Sequence, residues 1–221
     1  MTKIKNSYEF RPTSGAAPKQ IVILLHGLGS DGRDLLGLAP EFAASLPDAV
    51  FVSPDAPFDC DMAPPGMMSG YQWFSLRDWR PENILRGAKE AAPILMDFIR
   101  AQLAKYNLPA SKLALVGFSQ GTMMSLFTGP RYDEPIAGVL GYSGAMIGEK
   151  ELGPDAHRIP VHLIHGDIDT VVPVMAYYHA KEALSGLGFP VSGHTSPALM
   201  HSIDDRGLRS GAEFLKKILA A

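Results

Sequence analysis

Short apolar runs recur along the chain, separated by longer stretches with helical spacing. The runs fall at residues 20–26, 49–53, 112–118, 136–143, 160–165 and 190–195. Several are continuously apolar rather than alternating: IVILL, LALVGF, IAGVLGY and VHLI. A strand needs that pattern when both of its faces are covered, which is the habit of a parallel sheet. The alternating segment 4–10 predicts one more strand, at an antiparallel edge. Helical spacing appears at 34–46, 82–106, 119–128, 173–187 and 203–219, with Pro93 as a candidate kink in the second and Gly186 and Gly188 ending the fourth. Strand and helix alternate, and such units cross over right-handedly. The expectation is an α/β fold: a mostly parallel, doubly wound sheet flanked by helices, without a large cap domain.

The chain has 221 residues, which one core can serve, so residues 1–221 read as a single domain. Charged residues make up 19% and the formal net charge is −3, with no run of Lys or Arg. Nothing in that balance suits nucleic acid or an anionic membrane. Cys60 is the one cysteine, so no intrachain disulfide forms, in keeping with a reducing compartment. The N-terminus has no apolar core of a signal peptide, and no apolar run reaches the length of a membrane span. No stable membrane insertion and a cytoplasmic location are the expectations.

Segment 54–81 breaks the rhythm. It has no strong period, yet it holds both tryptophans and Met62, Met67 and Met68. Such residues need somewhere to pack, which argues against disorder. The segment leaves the carboxyl end of a strand, where ligands bind in open α/β sheets, so it reads as a substrate-side insertion. Met62, Met67, Met68, Trp73 and Phe74 either form an apolar acyl site or seal the core beneath the loop.

Three motifs carry chemistry. Gly117-Phe118-Ser119-Gln120-Gly121 is a G-x-S-x-G pentad between an apolar strand and a helical pattern. A sharp turn there demands small residues two positions either side of the serine. It also presents Ser119 as a nucleophile and the Gln120 N–H as an oxyanion donor. The competing reading makes Ser119 a simple helix cap. In IVILLHGLGSDG, a buried strand runs into a glycine-rich turn where Leu28 is placed to give the second donor and to line the acyl site. His26 reads as structural. The turn lacks the spacing of a phosphate-binding loop. In VHLIHGDIDTVVP, Asp167 and Asp169 are both candidate acids. Asp169 is favoured, being farther from the strand, while Asp167 suits hydrogen bonds to loop N–H groups. A metal cluster of His162, His165 and these aspartates is disfavoured, because residues three apart on a strand face opposite ways. A base that follows the acid leaves His179, His194 and His201. His201, between the last strand and the last helix, is favoured, with His194 as the fallback.

LHGLGSDGRDLLGLAPEFA, GFSQGTMMSL, HGDIDTVVP and MHSID stand in the order and spacing of the phospholipase/carboxylesterase family, the acyl-protein thioesterase-like branch of the α/β-hydrolases. The chain resembles that family from about residue 20 to its end. The resemblance implies the α/β-hydrolase fold and esterase activity on short- to medium-chain acyl esters, with thioesters or lysophospholipids as further substrates. It assigns the nucleophile to Ser119, the acid to Asp169, the base to His201 and the oxyanion donors to Leu28 and Gln120. It sets Trp73 at the border of an acyl pocket and makes a homodimer an expectation. Two positions depart from the pattern. Ser75 stands where many relatives carry Asp, and Met200 stands where Gly often precedes the histidine, so Met200 is a candidate to line or narrow the site. The reaction implied is acyl transfer to serine, with no cofactor and no metal. Two rival readings are an amidase or peptidase using the same residues and a non-catalytic binding homologue.

Overall fold

The computed structural model describes residues 3–62 and 70–220. Nine strands and six α-helices are present among them. The main sheet has seven strands: β1 (Ser7–Phe10), β2 (Gln20–Leu25), β3 (Ala49–Pro54), β6 (Leu113–Phe118), β7 (Gly138–Tyr142), β8 (Val161–Gly166) and β9 (Val191–Ser196), in the order β1-β3-β2-β6-β7-β8-β9. Within this sheet, among the described residues, only β1 pairs antiparallel, with β3, as the alternating segment 4–10 predicts. All other neighbours in this sheet run parallel.

Continuous apolar runs become strands buried on both faces. Residues 21–25 are all inaccessible to solvent. Ile21, Ile23 and Leu25 point into one core, with α3 (Pro81–Tyr106), α4 (Gln120–Thr128) and α5 (Met175–Gly186). Val22 and Leu24 point into the other, with α1 (Gly32–Leu36), α2 (Ala39–Ala43) and α6 (Asp205–Leu219). The period of two along the strand thus builds a three-layer molecule.

Two expectations need correction. The single helix expected at 34–46 is two short ones, α1 and α2. Pro40 has no N–H, and its ring would strike the Leu36 carbonyl if the helix continued. Pro93, by contrast, sits inside one helix, α3, that runs unbroken from Pro81 to Tyr106. The second correction concerns segment 54–81, which showed no period. It contains a two-stranded ribbon, β4 (Phe58–Asp59) with β5 (Tyr71–Gln72). Each strand is too short to register as an alternation.

The chain switches direction in the sheet between β2 and β6. Connections from these neighbours leave on opposite faces, and that opens a crevice at their carboxyl ends. No helix among the described residues is long and apolar enough to cross a membrane.

Candidate active site

Ser119 lies between the end of β6 and the start of α4, with φ 54° and ψ −116°. A side-chain-bearing residue in this region is strained by about 1–3 kcal/mol, so its neighbours must impose the conformation. The Ser119 N–H donates to the Tyr142 carbonyl at 2.9 Å. Thr122 Oγ1 stands 2.8 Å from the carbonyls of both Gly117 and Tyr142. A Cβ on Gly117 would fall 2.4 Å from the Gly121 carbonyl carbon, and one on Gly121 would fall 1.8 Å from the Leu25 oxygen. Glycine at both positions is a steric requirement of the turn. The Ser119 side chain makes no capping hydrogen bond, so it does not act as a helix cap.

The turn after β2 lies against this elbow: a Cβ on Gly27 would sit 3.4 Å from Ser119 Cβ. Leu28 is half-buried against the core. Its N–H has no hydrogen-bond partner among the described residues. Gln120 opens α4, where an N–H has no partner within the helix.

Asp169 is buried in the loop after β8, and His201 is half-buried in the loop after β9. Their side chains meet, with His201 Nδ1 2.7 Å from Asp169 Oδ2. The other carboxylate oxygen accepts from the Val171 and Val172 amides, both at 2.9 Å. Burial pushes the Asp169 carboxyl up, but the hydrogen bonds from His201, Val172 and Val171 outweigh it and hold the group below the usual carboxylate value. The His201 ring packs on Phe118, centroids 4.8 Å apart, which brings it beside the residue preceding Ser119.

Asp167 is exposed and accepts from the Ala198 N–H at 2.7 Å, the loop-bonding role its position suggested. His194 lies on β9 beside His162 and stands away from Asp169, while His179 is exposed on α5 near Glu149. His162 and His165 do point to opposite faces. His162 contacts Ser192 and Ser210, and His165 donates to the Val172 carbonyl. Among the described residues no group of three His, Cys, Asp or Glu side chains is arranged to hold a metal ion. The sequence offered His165 only as a disfavoured metal ligand, and its place beside the acid was missed. Its Nε2 stands 3.4 Å from Asp169 Oδ2, so two histidines flank that carboxylate. The i, i+4 spacing in HGDID was the available signal.

Trp73 and Phe74 are packed inside the protein, whereas Trp79 of the same insertion is exposed. Trp73 is inaccessible and donates its indole N–H to the His26 carbonyl at 3.0 Å. Phe74 is buried so tightly against α3 that a Cβ on Gly87 would come within 2.6 Å of its Cβ. Both seal the core beneath the loop, and neither offers an open apolar wall. Met200 is 64% exposed and Met62 52%, so both face solvent. Met67 and Met68 lie outside the described residues. The insertion nevertheless rests on the turn after β2: Gly29 donates to Tyr71, and Tyr71 donates back to Ser30.

A cavity of about 680 Å³ opens between α3, α4 and the loop after β7, walled by Ile84, Leu85, Met123, Met146 and Ile147. Met123 is one turn from Ser119, and its N–H donates to the Ser119 carbonyl. The loop wall is equally close, since a Cβ on Gly144 would fall 2.9 Å from the same carbonyl oxygen. Trp79 of the insertion also lines the cavity; apart from Met123, which lies in GFSQGTMMSL, no motif marks these residues.

The family model described as Phospholipase/Carboxylesterase matches residues 11–219. The crystal structure of esterase PE8 superposes with a TM-score of 0.88 at 40% identity, covering 96% of this chain and 98% of that one. Esterase YpfH of Escherichia coli is 28% identical over 90% of this chain and 82% of its own length. Acyl-protein thioesterase 1 of Schizosaccharomyces pombe is 28% identical, with both chains covered in full.

Proposed function

This chain belongs to the phospholipase/carboxylesterase family, and we propose that it is a serine carboxylesterase acting on short- to medium-chain acyl esters. The observation that carries this reading is the 2.7 Å contact of His201 Nδ1 with Asp169, on a ring that packs beside the strained Ser119 elbow. With Nδ1 donating to the carboxylate, His201 Nε2 is left unprotonated and able to accept a proton. Ser119 attacks the ester carbonyl as its proton passes to Nε2. The tetrahedral oxyanion is stabilised by the N–H groups of Leu28 and Gln120. His201 then protonates the departing alcohol, and water releases the acid by the same steps in reverse roles. Asp169 keeps its charge throughout, stabilising the imidazolium.

The 680 Å³ cavity beside Met123 is the site for the acyl chain, within the usual size range for small-molecule pockets. Its methionines adapt to chains of varied length. Thioesters and lysophospholipids are further substrates of the same site, since only the leaving group differs. Similarity to acyl-protein thioesterase 1 favours the first.

The test is a fluorophosphonate probe followed by peptide mapping, with turnover of acetyl to dodecanoyl esters and thioesters alongside. Labelling at Ser119 that vanishes in Ser119→Ala, together with loss of turnover by about 10⁶-fold, is the expected result. An unlabelled protein would be a binding homologue. Preference for anilides over esters would make it an amidase.

A further inference from the structure

The two segments that bear the oxyanion donors are joined by a continuous run of buried hydrogen bonds. It begins at His26, whose ring is inaccessible to solvent. The Ala56 N–H lies 2.9 Å from Nε2. An amide N–H only donates, so Nε2 is the unprotonated acceptor and the ring proton sits on Nδ1. Nδ1 then donates to the Gly27 carbonyl at 2.7 Å. Burial lowers the basicity of the ring and keeps it in this neutral form.

The Gly27 oxygen and the Leu28 N–H belong to one planar trans peptide, so they point in opposite directions. Fixing the oxygen on the His26 ring therefore fixes the aim of the Leu28 N–H. From the other side, the His26 carbonyl accepts the Trp73 indole N–H at 3.0 Å. The Trp73 backbone N–H donates to Gln120 Oε1, and Gln120 Nε2 donates to the Phe74 carbonyl, both at 2.8 Å. His26, Trp73 and Gln120 are all fully buried. One rigid strut thus runs from the Leu28 peptide through His26 and Trp73 to the residue whose own N–H is the second donor.

We propose that His26 and Trp73 are positioning residues that set the aim and separation of the Leu28 and Gln120 N–H groups, an inference that rests on acyl transfer at Ser119. Neither touches the substrate. The proposal also gives the buried tryptophan of the insertion a role that an acyl-pocket reading does not.

Half-isosteres of histidine separate the contacts. In His26→Asn the amide nitrogen stands near the Nδ1 position and still donates to Gly27. In His26→Gln the amide oxygen reaches toward Ala56, and the donor to Gly27 is lost. Trp73→Phe keeps most of the packing but removes the indole N–H. Loss of a whole oxyanion donor costs about 10²–10³-fold in kcat, and a misaimed one about 10- to 100-fold. His26→Gln is expected to lower kcat by about that lesser amount with KM within roughly threefold of wild type. His26→Asn recovers most of the loss, and Trp73→Phe loses several-fold in kcat. Affinity for a trifluoromethyl ketone, whose adduct with serine carries an oxyanion, falls in parallel. Equal kcat in the two His26 variants, an unchanged kcat in Trp73→Phe, or losses confined to KM would overturn the proposal. Should His26→Gln fail to fold, Trp73→Phe and His26→Asn still decide it. Ser119→Ala keeps the two readings apart. An active Ser119→Ala sinks the acyl-transfer reading, whereas an inactive Ser119→Ala with a wild-type His26→Gln sinks only the strut.

Discussion

Replacing Asp169 by Asn changes one atom, and the surroundings dictate which way the new amide turns. Asp169 Oδ1 accepts from the Val171 and Val172 amides, while Oδ2 faces His201 Nδ1. Were the asparagine NH₂ to face the two valine amides, two buried donors would lose their acceptor, at about 1–3 kcal/mol each. The side-chain oxygen therefore stays with the valines, and the NH₂ turns to His201. A donor opposite Nδ1 makes Nδ1 the acceptor and moves the ring proton to Nε2. That nitrogen can no longer take the proton of Ser119. The expected loss is about 10⁴-fold in kcat, roughly 5 kcal/mol of transition-state stabilisation at 1.36 kcal/mol per decade. The fold persists, because the variant is isosteric and keeps both backbone contacts. Steady-state hydrolysis of a p-nitrophenyl acyl ester measures the loss, and nitrogen NMR of His201 reports the tautomer. Asp167→Asn is the control: the Asp167 side chain accepts from Ala198, which Asn also does, and kcat stays within about threefold. A loss below tenfold in Asp169→Asn, or an equal loss in Asp167→Asn, would refute the assignment.

Gly121→Ala drives a methyl to 1.8 Å from the Leu25 carbonyl oxygen, a backbone clash that nothing nearby can relieve. Destabilisation of about 3 kcal/mol or more, read as a lowered urea midpoint, is expected with loss of labelling at Ser119. Met123→Trp fills the apolar cavity and should shift the preferred acyl chain to shorter lengths, with acetyl ester turnover reduced least; an unchanged chain-length profile would move the acyl site elsewhere. Burial lowers the His162 pKa from 6.5 to about 4. Between those values the unfolded chain binds a proton that the folded protein does not, so unfolding free energy falls as pH drops from 6.5 to 4 and levels off below. The shift corresponds to at most about 3–4 kcal/mol, and the fall in unfolding free energy between pH 6.5 and 4, read from urea melts at each pH, should be smaller in His162→Gln than in wild type.

Much of the fold was legible because strand burial writes itself into local sequence. The run IVILL at residues 21–25 could be read as doubly covered before either covering layer was known. Gly117 and Gly121 were legible for an equally local reason, since the clash each avoids involves the elbow and the strand beside it. That Asp169 and not Asp167 meets His201 agrees with its greater distance along the loop. Short pieces were not legible. Two-residue strands have no period, and the break between α1 and α2 depends on one proline ring meeting one carbonyl.

Chemistry carried by a motif needs only the motif, and so the sequence alone was enough for the layered fold, the family and the candidate nucleophile, acid and base. The cavity walls, the second histidine beside Asp169 and the burial of Trp73 required the tertiary structure. Each depends on which side chains from remote segments share one space: α3 reaching over α4, and the insertion folding onto the turn after β2. A tryptophan in a loop looks the same in sequence whether it faces a ligand or braces a backbone. Only the carbonyl that its indole finds decides between them.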